Sequence, residues 1–372
     1  MTARPQNQHG GDWASYEIEY GSAPLDFSMN VNPLGISEKV KVAIAEAAED
    51  ADRYPDPACR QLRDAIAKAE GVDAETIFCG AGAADVIYRL AKAAKGGEEP
   101  RMLITAPTFS EYEEAFASEG WRVERWLLKE DEGFAVGEDL AEAIEAVNGE
   151  ADGGADLLFL CEPNNPTGIA TDRELLVKIL EACRKAGTTL VIDECFNGFL
   201  DEPETHTMKG YLGEYDNLII LKAFTKIYGM AGVRLGYCLC ANREMAEALQ
   251  KAGAPWNVSN LAQAAGIAAL EDQGHAAGGR KIVAEERQYL REALLWLGYS
   301  RVYGEANYLL FNGPEGLDEE MRKDGILIRN CDNYHGLGKG WYRIAVKRHE
   351  ENLKLIDSMK RITEQETHNG EE

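Results

Sequence analysis

Residues 217–237, NLIILKAFTKIYGMAGVRLGY, carry the reading on which the fold turns. The apolar run from Asn217 to Leu221 predicts a short buried strand. Behind it, Thr225, Lys226, Gly229, Gly232 and Arg234 predict a tight turn with little room for side chains. Lys226 is thereby held at a strand end rather than in water. Desolvation, together with the guanidinium of Arg234 eight positions on, would lower its pKa and expose the free amine that a Schiff base with an aldehyde needs. A surface lysine after a strand is the plain alternative for this segment alone, so support has to come from elsewhere in the chain.

Working outward, strand-like runs at 102–105, 156–161, 189–193, 218–221 and 236–240 alternate with helical patterns over 83–95, 172–186 and 243–252. Apolar strands spaced by amphipathic helices predict an α/β domain with a mostly parallel sheet covered on both faces. Its ligand site belongs at the carboxyl ends of the strands. Beyond about residue 254 the style changes to a long helix at 278–297, short strands at 308–311, 326–329 and 341–346, and a last helix at 350–363. That pattern predicts a smaller α+β domain. The first 35 residues show neither period and read as an arm, and the polar end TEQETHNGEE reads as frayed. The expected division is an arm at 1–36 contributing to the small domain, a large domain at 37–254 and a small domain at 255–372.

Composition bounds the function. The 372 residues suffice for two or three domains. Lys and Arg number 39 against 64 Asp and Glu, a net charge of −25 spread along the chain, which argues against a nucleic-acid partner and serves solubility. A cleft that gathers arginines can still bind a small anion. Cys59, Cys79, Cys161, Cys183, Cys195, Cys238, Cys240 and Cys331 form no CxxC pair and no zinc spacing, as expected in a reducing compartment. The N-terminus lacks an apolar leader core and no run of about 18 apolar residues occurs, so a cytoplasmic protein with no membrane partner is expected.

Four further segments fall where a ligand clamp would need them. CGAGAADVI, at 79–87, is a glycine turn opening a helix, and the free amides of Gly82, Ala83 and Ala84 could bind an anion, although such turns are also plain structure. CEPNNPTGIA, at 161–170, sets Asn165 just past a strand, where its amide could hold a ligand oxygen; Asn-Pro is equally a turn signal. VIDECFNGF, at 191–199, ends a strand on Asp193, a carboxylate in apolar surroundings that should have a cationic partner. APTFSEY, at 106–112, puts Phe109 after another strand, either as core or as a ring stacked on a flat ligand.

A phosphate site, a stacking ring, a carboxylate for a pyridinium, an amide for a phenolate and a Schiff-base lysine together are what pyridoxal phosphate requires. With PNNPTG at 163–168 and the Lys226-to-Arg234 segment, the chain resembles the fold-type I pyridoxal-phosphate enzymes of the class I/II aminotransferase group over nearly its whole length. The resemblance implies Lys226 as the Schiff-base residue, Asp193 on the pyridine nitrogen, Asn165 on the 3′-oxygen and Phe109 on the ring. On the phosphate it implies the amides of Gly82, Ala83 and Ala84 with Thr225 and Arg234. RYPDP, at 53–57, is shared with histidinol-phosphate aminotransferases and implies that Tyr54 reaches the cofactor of a partner subunit in a homodimer with shared active sites.

The chain is similar at more places to the threonine-phosphate decarboxylases of cobalamin synthesis: HGG at 9–11, DFSMNVNPLG at 26–35, PTFSEY, Phe196 where transaminases usually have Tyr, LIRNCDNYHGLG at 327–338 and YRIAV at 342–346. That likeness implies Arg343 on the substrate α-carboxylate and Arg329 and His9 on a substrate phosphate, with Asn32, Gly35 and Asn165 completing the substrate site. In a chain this acidic either arginine could instead serve a structural ion pair. The implied reaction is decarboxylation of L-threonine O-3-phosphate or a similar phosphorylated amino acid; the alternative is amino transfer on histidinol phosphate or an aromatic amino acid. Ala223 stands where relatives often carry a serine, and residues 80–84 lack polar side chains, so a looser phosphate grip is expected.

Overall fold

The computed structural model describes residues 10–94, 98–146 and 154–369, with side chains to 364. Its larger sheet has seven strands in the order Ile77–Gly80, Gly236–Cys240, Leu218–Ala223, Thr189–Asp193, Leu157–Cys161, Arg101–Ala106, Arg122–Leu127. All neighbours are parallel except Gly236–Cys240, which runs antiparallel to both of its neighbours. The central strands are buried along nearly their whole length, which explains why they read as continuous apolar runs rather than alternating ones. One face packs Leu158, Leu190, Ile192 and Ile220 under helices that include Arg60–Glu70 and Arg173–Ala186; the other packs Phe159, Val191 and Leu221 against Ala83–Ala93 and Glu111–Ser118.

Local sequence accounts for the helices. Arg173–Ala186 buries Leu176, Ile179, Leu180 and Cys183, the spacing of one helical face, and stops at Gly187 in the left-handed region. Two strands of the larger sheet escape the sequence reading. Ile77–Gly80 is only four residues long, and Arg122–Leu127 is an edge strand whose charged, half-exposed residues carry little apolar signal.

The second sheet is antiparallel, in the order Arg329–Asn330, Trp341–Ala345, Tyr308–Asn312, Val302–Tyr303. The single strand expected at 326–329 is divided. Ile326–Leu327 pairs in parallel with Leu25–Asp26, while Arg329–Asn330 pairs with Trp341–Ala345. The amide of Ala345 donates to Phe27 O at 2.8 Å, so the N-terminal arm is hydrogen-bonded to the C-terminal part of the chain. The arm is not irregular throughout: helix Trp13–Tyr20 is capped by the Asp12 carboxylate and closed by Gly21. Packing contacts cross the boundary expected at 254. Helix Asn260–Glu271 belongs to the larger core through Ala262, Ala265 and Ala269, and a Cβ on Gly266 would meet Leu235 Cδ2 at 2.6 Å. Helix Gln273–Trp296 then crosses from Gly279, against Asn32, to Leu290 and Leu294 in the smaller core. The last helix, His349–Asn369, continues into the segment expected to fray. No described helix is long and apolar enough to cross a membrane.

Candidate active site

Parallel strands set their carboxyl ends side by side. In register, Cys161 faces Asp193 and Asp193 faces Leu221, while Gly80 and Ala223 both face Gly236. Lys226 follows three residues after the Leu218–Ala223 strand, in a turn gripped from behind by the arm. Asn32 N donates to Lys226 O at 3.0 Å, and Asn32 Nδ2 donates to Ile227 O at 2.7 Å. Gly229, at φ +66°, comes so close to the arm that a Cβ there would lie 2.4 Å from Gly35 O. Of the two residues expected to touch substrate, Asn32 donates to the lysine turn and accepts from Leu34 N at Oδ1, while Gly35 packs against Gly229 with its carbonyl 2.8 Å from His275 Nε2.

The Lys226 amine sits 5.0 Å from the Phe196 ring centroid. Burial pushes its pKa down, and the guanidiniums of Arg343 and Arg234 push the same way against Cys195 and Asp193. The result favours a free amine. Asp193, 5% exposed, accepts hydrogen bonds from the Tyr112 hydroxyl at 2.7 Å and the Cys195 amide at 2.8 Å. Burial raises its pKa, opposed by these two donors. The cationic partner expected for Asp193 is not among its hydrogen-bond partners. Neutral donors satisfy its oxygens, leaving its charge to be matched chiefly by Lys226 and by whatever binds there. Tyr112 stacks on Phe159 with centroids 4.0 Å apart and meets Phe109 edge-on at 5.5 Å, so one aromatic unit links Phe109 to the carboxylate. Half-buried Phe109 lines a groove of about 750 Å³ that also takes in Arg329, Tyr334 and His335.

At the glycine turn, Gly82 has φ +89° and caps helix Ala83–Ala93. A Cβ on Gly82 would lie 2.8 Å from Arg234 Nη2, and one on Gly236 would lie 2.6 Å from Ala83 N. The guanidinium thus lies against the first turn of a helix whose leading amides have no helical acceptor, a combination suited to an anion. Asp85 stitches this turn together, accepting from Ala81 N at 2.9 Å, Arg89 Nε at 2.9 Å and Asn257 Nδ2 at 2.7 Å. Thr225 is buried, one residue before the lysine.

Of the two asparagines in PNNPTG, Asn164 is structural, bonded to Pro107 O, Thr108 Oγ1 and Thr167 Oγ1. Asn165 accepts from Arg343 Nη1, while Arg343 Nη2 donates to Ser28 O at 3.0 Å. Arg343 Nε is buried with no hydrogen-bond partner among the described residues. Arg329 lies directly opposite Arg343 across the antiparallel pair and donates to Asn333 Oδ1 at 2.8 Å. Both are buried, and like charges placed opposite each other are unfavourable unless an anion joins them. The arm passes close by: Gly11 N donates to Ser28 Oγ at 2.8 Å, and a Cβ on Gly10 would strike Ser28 O. His9 lies outside the described residues. Tyr54 is 82% exposed and tilts against Trp256 at 4.8 Å.

Sequence reasoning missed Tyr112, Ser28 and Glu162. Tyr112 was within reach, three residues after Phe109 and at the start of helix Glu111–Ser118. Ser28 contributes a backbone carbonyl, which no side-chain pattern announces. Glu162, held by the amide and hydroxyl of Thr171, is pushed up to about 7 by burial just before the asparagine pair.

Residues 22–359 match the family described as aminotransferase class I and II, and the chain belongs to that family. It is 33% identical over 361 residues to threonine-phosphate decarboxylase of Salmonella typhimurium, covering 95% of this chain and 96% of that one. Histidinol-phosphate aminotransferase of Clostridium acetobutylicum superposes with a TM-score of 0.83 at 28% identity, over 91% of this chain and 99% of the other. Histidinol-phosphate aminotransferase of Sinorhizobium meliloti, solved with pyridoxal-5′-phosphate, gives 0.82 at 22% identity over 98% of each chain. The fold is that of the fold-type I enzymes, as the motifs implied, and the cofactor is pyridoxal 5′-phosphate. The residues present fit that group: the cradle at Gly82 and Gly236 leaves no room for a Cβ, Arg234 lies beside it, and among the described residues no cation is hydrogen-bonded to Asp193.

Proposed function

We propose that this protein decarboxylates L-threonine O-3-phosphate, or a closely similar phosphorylated amino acid, to an amino-alcohol phosphate. The observation that carries the reading is the pair of opposed buried arginines, Arg329 and Arg343, of which Arg343 acts on the Lys226 amine. Two guanidiniums suit a ligand with two anionic ends, one a carboxylate and the other a phosphate. The similarity to threonine-phosphate decarboxylase over 95% of the chain supports the same choice.

In this reading Lys226 tethers the cofactor aldehyde, Asp193 faces the pyridine nitrogen, Asn165 the 3′-oxygen and Phe109 the ring face. Gly82, Ala83, Ala84, Thr225 and Arg234 hold the phosphate, and Tyr54 reaches the partner's site in a cytoplasmic homodimer. The cofactor, once bound, supplies the electron sink that stabilises the carbanion left when a bond at the substrate α-carbon breaks. The chain chooses the bond. Arg343 holds the α-carboxylate, Arg329 and His9 hold the substrate phosphate, and this remote binding fixes the orientation of the α-carbon. Arg343 already shares its guanidinium between Asn165 and Ser28 O, which moderates a grip that would otherwise oppose carboxylate loss. Lys226, whose pKa burial holds below the ordinary lysine value, is placed to move a proton to or from the α-carbon.

The likeness to histidinol-phosphate aminotransferase of Clostridium acetobutylicum supports the second reading, an aminotransferase on histidinol phosphate or an aromatic amino acid. Incubating the cofactor-loaded protein separately with phosphothreonine, phosphoserine and histidinol phosphate separates the two. Carbon dioxide from phosphothreonine is expected; keto product without gas evolution overturns the lyase reading.

A further inference from the structure

The candidate site uses one face of the large sheet, and a second set of ionisable groups lies directly behind it. Side chains alternate along a strand, so Asp193 points with Val191 to the face that carries Tyr112, and Glu194 turns to the other. Lys222, four residues before Lys226, points to that other face with Ile220, as does Tyr237 opposite it in register. There Lys222 Nζ lies 3.1 Å from both carboxylate oxygens of Glu70 and 3.5 Å from Glu194. Tyr237 donates to Glu70 at 2.6 Å, and Lys209 reaches Glu70 at 3.3 Å and Glu204 at 3.0 Å. Glu194 also accepts from Thr207 Oγ1 at 2.7 Å and Met208 N at 2.8 Å. Tyr228 completes the set, its hydroxyl raised mainly by burial and then by Glu70.

A buried ion network is a poor source of stability, since apolar side chains of equal volume often do as well. Its location says more. Its members adjoin the strand ends that present Asp193 and Lys226. We propose that Lys222, Glu70 and Glu194 are positioning residues that hold these two strand ends in register and balance the charge behind the reactive amine. The inference rests on reading Lys226 as that amine.

The test uses the full-length protein and two substitutions of opposite sign. Glu194→Gln keeps a hydrogen-bonding group for Thr207 and Met208 but removes a negative charge; Lys222→Met removes the positive one. Competitive acetylation of Lys226 in the cofactor-free protein, followed against pH by peptide mass spectrometry, reads the amine directly. Glu194→Gln should lower the Lys226 pKa by about one unit and Lys222→Met should raise it by about as much, the size expected of one charge about 10 Å away at an effective dielectric of about 20. Lys222→Arg should restore the parent value. The acid limb of the kcat/KM profile should move with the amine. Should Lys222→Met fail to fold, Glu194→Gln carries the test alone. Lys226 titrating within about 0.2 unit of the parent in every folded variant, with only melting temperature changed, overturns the proposal. Failure of the underlying reading shows elsewhere, as turnover that survives Lys226→Ala.

Discussion

The cofactor cup and the substrate end are built by opposite means. At the cup, neighbouring strands bring Gly80, Ala223 and Gly236 into one row, Gly82 turns the chain into the helix at φ +89°, and the main chain packs so closely that a Cβ on Gly236 would lie 2.6 Å from Ala83 N. At the substrate end, Arg343 takes its place from a carbonyl 315 positions away in the arm and from an asparagine on the large sheet. The cup is thus fixed by backbone geometry that excludes side chains, whereas the substrate end depends on guanidinium partners drawn from three parts of the chain. Substitutions at the cup should act through coenzyme binding. Substitutions at the substrate end should act through reaction and substrate selectivity.

Lys226 joins the two regions, and its loss should have the largest effect. Lys226→Ala should abolish turnover on every substrate while circular dichroism and the melting profile stay near those of the parent; retained activity points to another lysine. Arg343→Lys should come next. A lysine cannot reproduce the fork that serves Asn165 and Ser28 O while binding a carboxylate, and a loss of about 100-fold in kcat/KM is expected, in line with disrupting a buried charge-assisted pair. Steady-state kinetics check it. An unchanged KM and kcat would place the carboxylate elsewhere and remove the contrast between the two regions.

The same contrast explains what could be read in advance. The large sheet was legible because most of its buried strands are continuous apolar runs, Lys226 and Arg234 because each lies within a few residues of such a strand, and Gly82 because its glycine turn opens a helix. Arg329 and Arg343 were visible as residues but not as a register pair, because the strand expected at 326–329 divides between two sheets. Asn32 and Gly35 were expected at the substrate; Asn32 also bonds to the lysine turn, a contact that sequence spacing cannot show because it does not tell which side of a loop an amide faces. The helix Asn260–Glu271 was missed because small residues dominate its buried face, where alanines let it approach the neighbouring helices without a strong apolar period.

A smaller effect tests the cup. Gly236→Ala places a methyl group 2.6 Å from Ala83 N, and the helix start must shift to admit it. Strain of about 1–3 kcal/mol is typical of such overpacking, so coenzyme affinity should fall about tenfold. Fluorescence titration of the cofactor-free protein measures it. If kcat falls at saturating coenzyme while affinity holds, the cup is not where that glycine acts.

The smallest expected effect lies at Asp193. Tyr112→Phe removes one of two donors to this carboxylate, at a cost of about 0.5–1.5 kcal/mol, or roughly a three- to tenfold loss of coenzyme affinity. The pH dependence has a definite sign. Burial holds the folded-state pKa of Asp193 above the ordinary value of 3.8, so the folded protein binds a proton that the unfolded chain has released, and stability falls as pH rises through this window. Because the Tyr112 hydroxyl opposes that rise, its removal should push the folded-state value higher and extend the loss of stability toward neutral pH. Urea melts of the cofactor-free parent and variant over a pH series rising from 3.8 should therefore diverge as pH increases, with the variant the weaker. Parallel curves would mean that the Cys195 amide alone sets the carboxylate, and the aromatic unit running from Phe109 through Tyr112 would then belong to the core rather than to the site.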